Sequence, residues 1–216
     1  MDALDLRDVL LGEGLSRRVV DAVISVPRDR FVPWHQRFRA WEDHAMSIGH
    51  GQTISQPTVV AVMTEAAAVG PGDRVLDVGT GSGYQAAVLA ACGATVHSIE
   101  RIPALADDAR ARLAGLGLDV DVTLGDGSTG RAERAPYDAI VVAAATPTVP
   151  PDLVAQLRPA VQGRRGGRLV IPIGDPAARF GGQELVVLER QVDGLDRRTL
   201  LDVVFVPLIW GGTPGS

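Results

Sequence analysis

The sequence predicts an α/β protein built on a doubly wound, mainly parallel Rossmann-like sheet, with helices ahead of it and an antiparallel hairpin behind it. Three observations carry that expectation. From Asp73 onward short strand-like runs alternate with helical segments, which is how a parallel sheet reads. One run, Val75-Leu76-Asp77-Val78, feeds straight into Gly79-Thr80-Gly81-Ser82-Gly83-Tyr84, a loop of three alternating glycines. After Gly174 the alternation stops, and two strand-like runs follow with only a turn between them.

Taken in order, residues 4–11 and 17–25 read as short helices, separated by Gly12 and Gly14, with Ser16 placed to cap the second and Pro27 to end it. Residues 28–52, with Pro33, Trp34, Trp41, Gly49 and Gly51, read as a long irregular stretch; loops of that length inside a domain usually serve a site. Ser55-Gln56-Pro57 then opens a helix through Ala68, the serine as N-cap and the proline in the first turn. Strands are expected at 74–78, 94–99, 120–124, 138–143 and 167–173, and helices at 82–91, 103–116 and 151–157. The closing hairpin pairs 184–190 with 200–206 around Asp193-Gly194-Leu195-Asp196, and the tail 211–216 is expected to fray. One domain is expected, with a helical and active-site segment (1–72), a cofactor-binding core (73–174) and a C-terminal hairpin and tail (175–216).

Composition narrows the function. The 216 residues are 46% hydrophobic and carry a net charge of −5, so nothing pulls the chain electrostatically toward nucleic acid or an anionic membrane. All 21 basic residues are arginine, which excludes Schiff-base chemistry and a phosphate-loop lysine. The single cysteine, Cys92, lies in an apolar helix and reads as a small buried hydrophobe, not a nucleophile. The histidines His35, His44, His50 and His97 show no metal-ligand spacing, so no metal is expected. A basic, apolar leader and an apolar run of about 18 residues are both missing, which points to the cytoplasm.

The glycine loop is a cofactor loop, since glycines admit sharp turns and let a ligand approach the main chain. A dinucleotide fingerprint requires G-x-G-x-x-G, but here the third glycine comes one position early and Tyr84 stands where that pattern wants glycine. Asp77, two residues before the loop, would repel a pyrophosphate and suits a cationic cofactor such as S-adenosylmethionine. Glu100 ends the next strand, where a carboxylate can accept from both ribose hydroxyls of either cofactor. Asp126-Gly127 follows the third strand and would place an acceptor near an adenine amino group, although Asp-Gly is also an ordinary turn pair.

With those residues in place, the chain resembles the protein-L-isoaspartate O-methyltransferases, a class I S-adenosylmethionine-dependent family, from about Val26 to about Leu208. Four segments carry the likeness: Val26-Pro27-Arg28-Asp29-Arg30-Phe31-Val32, Ile48-Gly49-His50-Gly51-Gln52-Thr53-Ile54-Ser55-Gln56-Pro57, the glycine loop with Tyr84-Gln85, and Phe205-Val206-Pro207-Leu208. The resemblance implies methyl transfer to the α-carboxylate of L-isoaspartyl residues, product S-adenosylhomocysteine, with isoaspartyl proteins and peptides as substrates. A monomer is expected on other grounds, since the helices and hairpin can cover one sheet without an obvious exposed apolar element. The resemblance also implies that Thr53, Ile54 and Ser55 line the active site, with Ser55 catalytic. It places Gly79, Gly81 and Gly83 at the methionine end, Asp77 near the cofactor's amino group, Glu100 on the ribose, and Asp126 with Gly127 beside the adenine. The loop 143–150 is expected to border the substrate cleft. Two departures stand out: Met46-Ser47-Ile48-Gly49 lacks the proline usual after the aromatic-x-Asp segment Trp41-Glu42-Asp43, and residues 158–168 exceed the usual tight turn. A carboxyl methyltransferase that tailors an aspartate of a modified peptide shares these motifs and stands as the alternative. A cofactor-binding protein without catalysis is disfavoured by the intact Ser55 segment, and an NAD dehydrogenase by Tyr84.

Overall fold

The computed structural model describes residues 1–161, 163–175 and 182–211. Helix α1 (Ala3–Gly12) starts at Asp2, whose carboxylate accepts from the Leu4 and Asp5 amides while Asp5 reaches back to the Asp2 amide, a reciprocal cap. Ser16 caps α2 (Arg17–Ser25), as the sequence predicts. The stretch expected to be irregular holds two 3₁₀ turns, Arg28–Phe31 and Trp34–Arg39, and a small hairpin of β1 (Met46–Gly49) and β2 (Gln52–Ile54). His50 and Gly51 make its turn with φ of 54° and 70°, so a left-handed pair closes the hairpin.

Helix α3 (Pro57–Ala67) leads into the main sheet. Its strands are β3 (Arg74–Val78), β4 (Thr95–Glu100), β5 (Val120–Leu124), β6 (Ala139–Val142), β7 (Arg168–Gly174), β8 (Gln183–Gln191) and β9 (Gly194–Val203), in the order β5-β4-β3-β6-β7-β8-β9. β5 through β7 run parallel, joined by α4 (Tyr84–Ala91), α5 (Pro103–Gly115) and α6 (Pro151–Ala155), while β8 and β9 are antiparallel. Alternate residues of each central strand face opposite ways and both faces are covered. Val75, Val96, Ala139, Val141 and Val170 join the cluster under α1–α5; Leu76, Val78, Ile140, Val142, Leu169 and Ile171 join the cluster with Leu153 and Leu157 at α6.

The hairpin at the end of the sheet is longer and starts earlier than the sequence predicts. Its turn is Val192-Asp193 alone, Gln191 pairs with Gly194, and β9 ends at Val203, not at Val206. Gln183, 1% exposed, causes that ending: its side-chain amide accepts from the Phe205 amide at 2.7 Å and donates to the Phe205 carbonyl at 3.2 Å, standing in for a partner strand. The long loop after Leu157 folds back through a bridge between Val161 and Arg164, and Arg158 pairs with Asp138. The expected fraying of the tail lies outside the described residues beyond Gly211.

Candidate active site

A cavity of about 610 Å³ opens at the carboxyl ends of β3 and β4, where the connections diverge toward β4 on one side and β6 on the other. That reversal is where open α/β sheets hold ligands, and the volume suits one of nucleotide size. Gly79, Thr80, Gly81 and Ser82 form its floor, and Glu100, Arg101, Ile102 and Gly127 border it from the next two strand ends. Glu100 is 6% exposed; its Oε2 accepts from the Gly81 amide at 2.8 Å, and its Oε1 from the Arg101 and Ile102 amides at 2.9 and 3.0 Å. At Gly127 a Cβ would stand 2.5 Å from Val78 Cγ1, so the main chain approaches the sheet as no other residue could.

The opposite wall is Gln52, Thr53, Ile54, Ser55 and Gln56, carried by β2 into the start of α3. Ser55 does not cap α3. The N-cap is Gln56, without a side-chain capping bond, and Asp43 from the preceding loop takes over the role. Its Oδ1 accepts from the Thr58 amide at 2.9 Å, and its Oδ2 accepts from Thr58 Oγ1 at 2.8 Å and from Gln56 Nε2 at 2.9 Å. The helix N-terminus is thus neutralised by a resident carboxylate, and an incoming anion gains nothing from it. The Ser55 hydroxyl is thereby released from capping: among the described residues it has no hydrogen-bond partner, and Ser55 lines the cavity.

Three residues expected in the site lie just behind it. Asp77 is fully buried beneath the glycine loop, not on the cavity wall; Ser98 Oγ donates to its Oδ2 at 2.7 Å, Thr80 Oγ1 meets Ser98 Oγ at 2.5 Å, and Oδ1 has no partner. Burial pushes its carboxyl up to about 7; the Ser98 hydrogen bond opposes that and the Glu100 charge adds to it. Gly83 turns the chain into α4 at φ 92°, where a Cβ would meet Leu113 Cδ1 at 3.3 Å. Asp126 caps a short 3₁₀ turn through the Ser128 amide and hydroxyl, at 2.9 and 2.7 Å, and its Oδ2 accepts from the Gly211 amide at 2.8 Å. Burial alone would raise the Asp126 carboxyl, but the bonds from Ser128 and Gly211 outweigh it and hold the group below its ordinary value.

The sequence reading assigns no site role to the third wall, Leu201 through Ile209. This segment leaves the sheet after Val203, pairs with Ala145 through bonds of 2.8 Å (Ala145 amide to Val206 carbonyl) and 2.7 Å (Leu208 amide to Ala145 carbonyl), and ends on Asp126. Phe205-Val206-Pro207-Leu208 does carry the family likeness, which was the available signal for it. Ala143 and Ala144, from the loop expected to border the cleft, line the cavity as well.

The protein-L-isoaspartate(D-aspartate) O-methyltransferase family model matches residues 5–212. Among curated proteins, a protein-L-isoaspartate O-methyltransferase 2 of Polaromonas sp. is 50% identical over 196 residues, covering 90% of this chain and 89% of that protein. A protein-L-isoaspartate O-methyltransferase of Stenotrophomonas maltophilia is 46% identical over 217 residues, covering 98% and 92%. Of solved structures, a protein-L-isoaspartate O-methyltransferase superposes with a TM-score of 0.83 at 27% identity, over 99% of this chain and 67% of that one. A Plasmodium falciparum structure of the same family, in complex with S-adenosyl-L-homocysteine, superposes with a TM-score of 0.78 at 25% identity, over 95% and 97%. From the match over nearly its whole length and the cavity its motifs enclose, this chain belongs to the protein-L-isoaspartate(D-aspartate) O-methyltransferase family.

Proposed function

We propose that the chain esterifies the α-carboxylate of L-isoaspartyl residues in damaged proteins and peptides with a methyl group from S-adenosylmethionine, and that Ser55 aligns the carboxylate. The reading is carried by one observation: Ser55 lines a cavity that the glycine loop also lines, and among the described residues its hydroxyl has no hydrogen-bond partner. The residues fit the cofactor. Glu100 can exchange the Gly81 amide for ribose hydroxyls, the close approach at Gly127 leaves room for a flat base, and Ile102 and Val59 supply apolar wall. When bound, S-adenosylmethionine supplies an electrophilic methyl group on a sulfonium, held by Thr80, Gly81, Glu100 and Gly127.

The chain's own contribution is alignment. An α-carboxylate is ionised near neutral pH, so no base is needed. Ser55 donates to one carboxylate oxygen and leaves the other directed at the glycine loop, with Thr53 and Ile54 flanking it. The segment Val203–Ile209 closes the third side and excludes water. The ester then cyclises on its own to a succinimide, whose hydrolysis returns part of the material to aspartate. Asp77 and Asp126 act behind the wall, the first under the glycine loop and the second as an anchor of the closing segment. We read the working form as a cytoplasmic monomer without nucleic-acid or membrane partners; the net charge of −5 supports this, and no helix among the described residues is long and apolar enough to cross a membrane.

The test is label transfer from S-adenosylmethionine to a peptide with L-isoaspartate beside the same peptide with aspartate. Base-labile label on the isoaspartyl peptide alone is expected. Ser55→Ala should lower kcat/KM by about 100-fold, the scale of a lost alignment, with an unchanged thermal midpoint. Wild-type turnover in that variant would remove Ser55 from the mechanism.

A further inference from the structure

Arg28 is 0% exposed, yet among the described residues no carboxylate forms an ion pair with it. Its Nε donates to the Ala40 carbonyl at 2.9 Å and its Nη2 to the Ser55 carbonyl at 2.7 Å, while Nη1 has no partner. The guanidinium lies over the Tyr84 ring, 4.6 Å from its centre, and Phe31 meets that ring edge-on at 5.4 Å. Asp43 acts on it only through space. Burying an unpaired cation is costly, and two carbonyl bonds and an aromatic face offset little of that cost. A leucine or methionine would fill the volume more cheaply if filling volume were all the position required.

What the guanidinium touches explains its retention. Ser55 is held on one side by Arg28, through its own carbonyl, and on the other by Asp43, through Gln56 and Thr58. Both holders come from the stretch between α2 and β1, so that long segment serves as a clamp on the turn that carries Ser55.

We propose that Arg28 is a positioning residue for the substrate carboxylate: it fixes the Ser55 turn through the carbonyl clamp, and its unpaired charge makes that end of the cavity favourable to an anion. The proposal rests on Ser55 as the aligning group. Two effects separate within it. The fork geometry sets where the hydroxyl stands and therefore bears on kcat, whereas the charge attracts the carboxylate and bears on KM.

Arg28→Met removes the charge and donors at similar bulk; Arg28→Lys keeps the charge and loses the fork. For each, kcat and KM are measured with an isoaspartyl peptide, S-adenosylhomocysteine affinity by calorimetry, and the thermal midpoint. Arg28→Met should lose about 100-fold in kcat/KM while S-adenosylhomocysteine affinity stays within about threefold, and Arg28→Lys should recover KM but not kcat. The double variant Ser55→Ala with Arg28→Met should have a kcat no lower than Ser55→Ala alone, because the clamp acts on kcat only through the Ser55 hydroxyl, while its KM should rise further with the lost charge. Peptide kinetics and S-adenosylhomocysteine affinity falling in the same proportion would mean that Arg28 merely holds the fold, and would overturn the proposal. So would a double variant whose kcat losses multiply. If Arg28→Met does not fold, Arg28→Lys decides by the same comparison. Ser55→Ala is measured first, since wild-type turnover there refutes the underlying reading of Ser55 before Arg28 is touched.

Discussion

Replacing Asp77 by asparagine should abolish a loss of stability that the wild type suffers as pH rises. In the folded protein the Asp77 carboxyl is driven from 3.8 to about 7, chiefly by burial. The group is 0% exposed, so solvent screening takes little from the effect. Below the unfolded value both states hold the proton and the residue contributes no pH dependence. Between 4 and 7 the unfolded chain has released it while the folded chain keeps it, so stability falls as pH rises, by about 1.4 kcal/mol per unit. Above 7 both are ionised and the folded state carries the whole penalty, the difference of about 3 units or roughly 4 kcal/mol. Asparagine has the same shape and no charge, and it can still accept from Ser98. Urea unfolding of wild type and Asp77→Asn, without cofactor, at pH 5, 6, 7 and 8 measures the difference directly, and titrations elsewhere in the chain cancel. The variant should gain on the wild type from pH 5 to pH 8 by about 2–3 kcal/mol. A difference that stays flat across the range would show that Asp77 does not change protonation there and would refute the reasoning.

Asp43→Ala removes three bonds at the start of α3 and should cost about 1–2 kcal/mol by thermal unfolding, with a parallel loss of peptide turnover because the Ser55 turn loosens; unaltered stability would mean the cap contributes nothing. Gln183→Leu strips both partners from the Phe205 backbone and should cost about 2–3 kcal/mol. It should also weaken S-adenosylhomocysteine binding, read by calorimetry, and an unaffected affinity would show that the segment 204–209 holds its place without Gln183. Gly83→Ala puts a side chain at φ 92° and against Leu113, and should lower stability by about 1–2 kcal/mol in denaturant melts; a neutral result would mean the turn relaxes freely.

The local signals of the sequence are strong where neighbours along the chain decide the outcome. Val75 to Gly83 names a strand, a loop and the start of a helix because each requirement sits within three residues of the next. The strand-end carboxylates were legible for the same reason, and Glu100 does reach the cavity. Whether a carboxylate faces the cavity or lies under it is decided elsewhere: Asp77 points at Ser98 on the neighbouring strand, and Asp126 is claimed by Gly211, 85 positions on. The Ser55 cap was misread because a serine before a proline is the local signature of a helix start, and the competing acceptor, Asp43, lies outside any local window. Gln183 is invisible in the same way, since a glutamine at a strand's first residue gives no sign that it will replace a strand partner for Phe205.

The turn between β8 and β9 bears on how this chain ages. These 216 residues contain no asparagine, and only Asp126-Gly127 and Asp193-Gly194 pair an aspartate with a following glycine, the arrangement in which the next amide most easily attacks the carboxyl. At Asp126 both carboxyl oxygens are engaged, by Ser128 and by Gly211, and the attack is blocked. Asp193 stands exposed at the hairpin apex with no such restraint, so isomerisation over the molecule's lifetime concentrates there. That apex is separated from the nearest cavity wall by the stretch of β9 from Gly194 to Leu200, about 23 Å of extended chain, too far for a molecule to bring its own turn to its own Ser55. The damage this chain reads in others arises in itself at one place, and only another copy can reach it.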